Sequence, residues 1–162
     1  MEVSKKLIHL IGEWEGKKNK WYLDSAGYRT IGVGHKLTPH ELDSGNVTCF
    51  GKLFKWRDGL PDEAIDDLLR LDLRAPSLAV NTHVKVPLNQ DQFDALVSFS
   101  FNAGIGALYG SHLLVVLNQG NYDAVPDELR KWDKCHINGV LTEVQGLKNR
   151  RENEIKLWQG EI

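Results

Sequence analysis

The residue pattern predicts an α+β protein, with a small sheet-bearing lobe near the N-terminus and a larger all-helical lobe after it. Three observations carry that expectation. Apolar residues recur at helical spacing over Leu7–Trp14. An alternating, glycine-punctuated stretch follows from Trp21 to Gly34. From Asp62 onward the apolar positions fall mostly at spacings of three and four. At 162 residues the chain fits one domain dividing into two lobes. The expected division is a sheet lobe over about 16–60, a linking helix over about 61–82, and a helical lobe over about 83–162 that also takes in the helix 4–15.

In chain order, Ser4 is placed to cap a first helix running to Glu15. Counting about 100° per residue from Leu7, the apolar stripe centres near 10°, Glu15 falls at about 80° and Glu13 at about 240°. The spacing therefore separates the two acids, with Glu13 in solvent and Glu15 on the apolar margin, where desolvation would raise a carboxyl pKa. After Lys17–Lys20 the strand pattern turns at Ser25-Ala26-Gly27, and a three-residue loop there pairs Tyr22 with Thr30 and Asp24 with Tyr28. Asp24 and Thr30 become diagonal neighbours on one face. Gly32 and Gly34 suit a strand that a bulky ligand or another backbone approaches closely. An acid at a helix end, a second carboxylate and a hydroxyl able to hold water form a set suited to breaking a glycosidic bond.

Residues 37–60 read as a third strand or a capping loop, and the aromatic patch of Val47–Trp56 as lobe core in preference to sugar-stacking surface. Pro61 opens a helix with Asp62 and Glu63 in its first turn, and Pro76 kinks or restarts it. The remainder reads as helices around Phe93–Phe101, Leu108–Gln119, Tyr122–Lys134 and Lys148–Gln159.

Composition narrows the function classes. A formal net charge of −2 argues against nucleic-acid binding by the whole molecule. The charge is uneven, with seven Lys/Arg against four Asp/Glu in residues 1–36 and five against eight in residues 37–83. No apolar run approaches the roughly 20 residues of a membrane span, and the N-terminus lacks a cleavable secretory pattern. A cytoplasmic protein with no membrane anchor is expected. Cys49 and Cys135 form no C-x-x-C pair and read as free thiols. The six histidines show no H-E-x-x-H, and neither a G-x-S-x-G nor a nucleotide loop is present. No metal and no cofactor is expected, and a zinc amidase is disfavoured.

The run E-G-x5-Y-x-D-x2-G-x-x-T-x-G-x-G-H, from Glu15 to His35, resembles the catalytic signature of the phage-type lysozymes, the endolysins of glycoside hydrolase family 24. The resemblance continues through Gly59–Ala64 and Leu69–Leu73, through Q92-F-D-A-L-V-S-F-S-F-N-A-G104, and through Ser111–Leu114, Trp132 and G146-L-K-N-R-R-E-N-E154. It implies a lysozyme-like two-lobe fold and a muramidase that cuts the β-1,4 bond between N-acetylmuramic acid and N-acetylglucosamine in peptidoglycan. Glu15 would be the general acid, and Asp24 with Thr30 would hold the attacking water. That is an inverting arrangement, needing about 6.5–9.5 Å between the carboxyls. Lys36, Phe101, Asn102 and Ser111 match substrate-contacting positions, although Lys36 stands where the best-known member has leucine. Arg150 or Arg151 would orient Glu15.

Because the N-terminus does not read as a secretory signal, a monomer is expected that waits in the host cytoplasm until a holin-type pore lets it through, and then lyses the host from the periplasm. This chain is less basic than many endolysins. Two other readings compete: a lytic transglycosylase, which needs only the acid, and a non-catalytic wall-binding or structural phage protein. His35 reads as a structural partner beside the hairpin.

Overall fold

A computed structural model describes residues 1–162, which separate into two compact units, Lys5–Arg74 and Met1–Ser4 with Ala75–Ile162. The first helix thus belongs with the sheet-bearing residues and not, as expected, with the helical ones. The boundary falls at Arg74, well inside the segment expected to be one linking helix.

In the first unit, α1 (Lys5–Glu15) buries Leu7, Ile11 and Gly12. It stops at Gly16, whose φ of 81° suits glycine and whose N–H bonds the Gly12 carbonyl at 2.9 Å. An antiparallel sheet follows, β1 (Lys18–Leu23), β2 (Arg29–Gly32) and β3 (His35–Lys36). Tyr22 pairs with Thr30 and Leu23 with Arg29, as the three-residue turn demands, and the register slips only farther along, between Lys18 and Tyr22. Gly32 has an approach different from the one expected of it. A Cβ there would lie 3.3 Å from Ile65 Cγ2, so the absent side chain admits a helix residue.

Residues 37–60 hold more structure than a strand or loop. Helix α2 (Pro39–Ser44) carries a capping box, in which Thr38 accepts from the Glu41 amide and the Glu41 carboxylate accepts from the Thr38 amide. Strands β4 (Asn46–Cys49) and β5 (Lys52–Lys55) form a hairpin turning at Phe50-Gly51, both with positive φ. The aromatic patch divides between core and surface. Val47, Cys49 and Trp56 are buried, whereas Phe50 and Leu53 are 60% and 72% exposed, because pairing and the turn aim them outward. Trp56 donates its indole N–H to the Glu41 carbonyl at 2.8 Å and meets Trp21 edge-on. Helix α3 (Asp62–Asp72) then packs on α1. It ends at Leu73, and α4 (Arg74–His83) restarts with Pro76 in its first turn, where a missing N–H costs nothing.

The second unit centres on α5 (Gln90–Ala103), capped by an Asn89–Gln92 box and buried from Phe93 to Ser100. Around it lie α6 (Ile105–Tyr109), α7 (His112–Asn118), α8 (Val125–Arg130) and α9 (Gln145–Trp158), with α9 making its main contact to α5. The helix expected over Leu108–Gln119 is broken at Gly110-Ser111, and the one over Tyr122–Lys134 shrinks to a short 3-10 turn plus α8. The unit is also not all helical. Strands β6 (Lys134–Ile137) and β7 (Val140–Glu143) form a hairpin around Asn138-Gly139, with φ of 51° and 80°. That is the positive-φ pair a two-residue type I′ turn needs, and Asn-Gly is its usual sequence. Cys49 is buried and Cys135 exposed, both as free thiols, and burial pushes the Cys49 thiol up to about 11.

The core of this unit contains an ion cluster. Glu154 is fully buried and lies 2.7 Å from Arg151 Nε and 3.2 Å from Arg150 Nε, and it accepts the Ser98 hydroxyl at 2.5 Å. Removing one member of such a cluster strands the others without water. Glu154→Ala should therefore cost about 3–5 kcal/mol. Thermal unfolding would register this as a fall in Tm on the order of 10 °C.

Candidate active site

Four of the residues expected at the site lie in the first unit, and the β1–β2–β3 sheet sets three of them. Tyr22, Thr30 and Lys36 form one row across the strands, because Thr30 pairs with Tyr22 on one side and Lys36 on the other. Residues in register share a face, so their side chains emerge together. Asp24 stands at the mouth of the turn, with its amide bonded to the Tyr28 carbonyl and its own carbonyl accepting from Gly27, each at 2.9 Å.

The two carboxylate oxygens of Asp24 have different surroundings. Oδ1 accepts the Ala26 amide at 2.9 Å and the Tyr28 amide at 2.8 Å. Oδ2 faces the Lys36 ammonium at 3.7 Å. The Tyr28 amide, aided by Ala26 and Lys36 and opposed by partial burial, holds the carboxyl below the usual aspartate range. Asp24 therefore caps the turn through one oxygen and presents an ionised second oxygen. Thr30, 2% exposed, donates its hydroxyl proton to the Tyr28 carbonyl at 2.9 Å, which leaves its oxygen in the acceptor role.

Glu15 ends α1 and is exposed, so the half-burial expected from its place on the apolar margin does not occur. The last residue of a helix projects past the stripe that the earlier turns bury. Burial raises the Tyr22 phenol above its ordinary pKa, and the charges of Asp24 and Glu15 push it further the same way. Both carboxylates thus act on one phenol. The strand alternation that placed Asp24 and Thr30 on one face carried the signal for Tyr22 as well.

The other expected residues lie in the second unit. Phe101 and Asn102 are half-buried at the end of α5, and Asn102 accepts from Arg151 Nη2 at 2.6 Å. Ser111 is buried and caps α7: its hydroxyl accepts the Leu114 amide and donates to the Leu108 carbonyl. Arg150 and Arg151 are buried, both against Glu154, and Arg151 also lies over the Phe99 ring.

His35 is fastened between two carboxylates, Asp72 at Nδ1 and Glu41 at Nε2, each at 2.8 Å. Burial alone would lower its pKa, but the hydrogen bonds and charges of Asp72 and Glu41 outweigh it and raise the value to about 9. With both ring nitrogens engaged, His35 ties β3 to α2 and α3.

This chain belongs to the phage lysozyme family, whose model matches residues 12–154. Among individual relatives, it is 36% identical over 159 residues to the endolysin of Acyrthosiphon pisum secondary endosymbiont phage 1, covering 98% of this chain and 99% of that one. It is 38% identical over 159 residues to the endolysin of Salmonella phage P22, with 97% and 99% covered. Solved structures agree. A mutant of P22 lysozyme superposes with a TM-score of 0.80 at 33% identity, covering 98% of this chain and 99% of the other. The muramidase domain of SpmX from Asticaccaulis excentricus gives 0.79 at 32% identity, with 97% of each chain covered. Lysozyme-like architecture is thereby shown, with the short β6–β7 hairpin added to the helices expected. No helix is long and apolar enough to cross a membrane.

The raised pKa of His35 yields a prediction. A histidine whose folded pKa lies above its unfolded value stabilises fully below about pH 6.5 and loses that contribution as pH rises through about 9. His35→Gln should lower stability by about 1–3 kcal/mol near pH 6. In urea unfolding at a series of pH values, the gap from the parent should close by about pH 9–10.

Proposed function

We propose that this protein is an endolysin that hydrolyses the β-1,4 bond between N-acetylmuramic acid and N-acetylglucosamine of peptidoglycan, with inversion at the anomeric carbon. The observation that carries this reading is Asp24, whose Oδ1 is held by the Ala26 and Tyr28 amides while its Oδ2 stays ionised and presented, in the sheet that also presents Thr30. Glu15 delivers a proton to the glycosidic oxygen as the bond breaks. Asp24 Oδ2 takes a proton from a water that the Thr30 oxygen helps to hold, and that water attacks from the opposite face. The low pKa of Asp24 keeps it ionised at neutral pH, as an acceptor of the water's proton must be.

The remaining assignments belong to the same reading. Phe101 and Asn102 contact the glycan. Ser111 contributes chiefly through the chain it caps, since its hydroxyl serves the fold. Arg150 or Arg151 orients Glu15. The protein acts as a monomer, is made in the host cytoplasm, and lyses the host after release through a pore. The family match and the names of the relatives, endolysin and muramidase, support this reading.

Digestion of purified peptidoglycan tests the chemistry. Hydrolysis leaves a reducing N-acetylmuramic acid that forms first as the α anomer, read by NMR before mutarotation. A 1,6-anhydro-muramyl end would instead establish transglycosylation and remove the need for Asp24. Glu15→Gln should lower kcat by at least about 10²-fold if it serves as the proton donor. Turbidity clearing that persists at the parent rate in that variant would discard Glu15 as the acid.

A further inference from the structure

Lys36 is the one cation that the structure sets directly against the carboxylate expected to activate water. Its Nζ lies 3.7 Å from Asp24 Oδ2 and 4.8 Å from the centre of the Tyr28 ring. Strand register puts it there, because Lys36 pairs with Thr30 and so shares the face of Tyr22 and Asp24. The ammonium is held loosely. The Lys36 side chain is 62% exposed, and the contact to Oδ2 exceeds hydrogen-bond length. Exposed ion pairs of this kind contribute little to stability, so another anion can displace the carboxylate at small cost.

The placement is also awkward for catalysis. A glycosidic bond breaks through a transition state that gathers positive charge on the sugar. A cation beside the base repels that charge and lowers the basicity of Oδ2. Both penalties fall away once the ammonium turns toward an anion on the substrate. Muramyl glycans carry such anions in the carboxylates of their peptide stems, whereas chitin-like glycans carry none.

We propose that Lys36 is a specificity-determining residue that exchanges Asp24 for a carboxylate of the bound glycan, so that anionic glycans are cut in preference to neutral ones. This rests on the assignment of Asp24 as the water-activating base. The exchange moves no proton and breaks no covalent bond. The other groups facing Asp24 are the Ala26 and Tyr28 amides and the Tyr22 phenol, with the charge of Glu15 acting on the same phenol. None of these is a second cation that would mask the loss of Lys36.

The test compares kcat and KM on muramyl-peptide oligosaccharides with free stem carboxylates and on the same oligosaccharides after chemical amidation. The parent enzyme should prefer the anionic form by about two- to fivefold, through KM, as one exposed ion pair allows. Lys36→Met should bring the ratio to about one, while Lys36→Arg, which keeps the charge, should retain it. The acidic limb of the kcat/KM profile on the amidated form should also move upward in Lys36→Met, because Asp24 loses a partner that lowers its pKa. An unchanged preference in Lys36→Met, or a limb that stays in place, overturns the assignment to Lys36. No turnover of any glycan by the parent enzyme would overturn the glycosidase reading itself.

Discussion

The site depends on the register of one hairpin. Side chains in a strand alternate with a period of two, so a slip of one residue between β1 and β2 would put Thr30 on the face opposite Tyr22. What prevents the slip is the turn at Ser25–Gly27, where Gly27 takes a φ of 85° and Asp24 Oδ1 accepts two amide hydrogens. The carboxylate proposed for catalysis is therefore also a part of the turn that aims it. Its second oxygen is presented because the first is engaged.

Around this hairpin, ionic groups do structural work at a distance from the chemistry. His35 joins β3 to α2 through Glu41 and to α3 through Asp72, and Glu41 also completes the cap of α2. The absent side chain of Gly32 lets Ile65 of α3 close on the same sheet. Positional accuracy in β2 and β3 thus comes from both a charged anchor and an apolar contact. In the second unit the buried Glu154 performs a comparable task. It binds Arg150 and Arg151 on α9 and accepts from Ser98 of α5, while Arg151 also donates to Asn102 at the end of α5. Such arrangements are costly to desolvate, and they persist when every member finds a partner.

Much of the candidate site was legible because its determinants are local. Glycine chemistry located the turn that pairs Tyr22 with Thr30. Another local signal went unread. Asn138-Gly139, flanked by alternating residues, is a hairpin sequence in the stretch between the last two helices expected. The exposure of Glu15 was not legible, because the angular position of a residue on a helix does not say where neighbouring elements end.

The sequence by itself determined the α+β class and the three-residue turn, and it singled out Glu15, Asp24 and Thr30 as candidates. These follow from spacings within about ten residues, where backbone geometry leaves few choices. Tertiary structure alone decided that α1 sides with the sheet, that His35 lies between Glu41 and Asp72, and that Lys36 meets Asp24. Each of these is a distance between groups brought together by chain closure and packing, and no periodicity along the chain encodes such a distance.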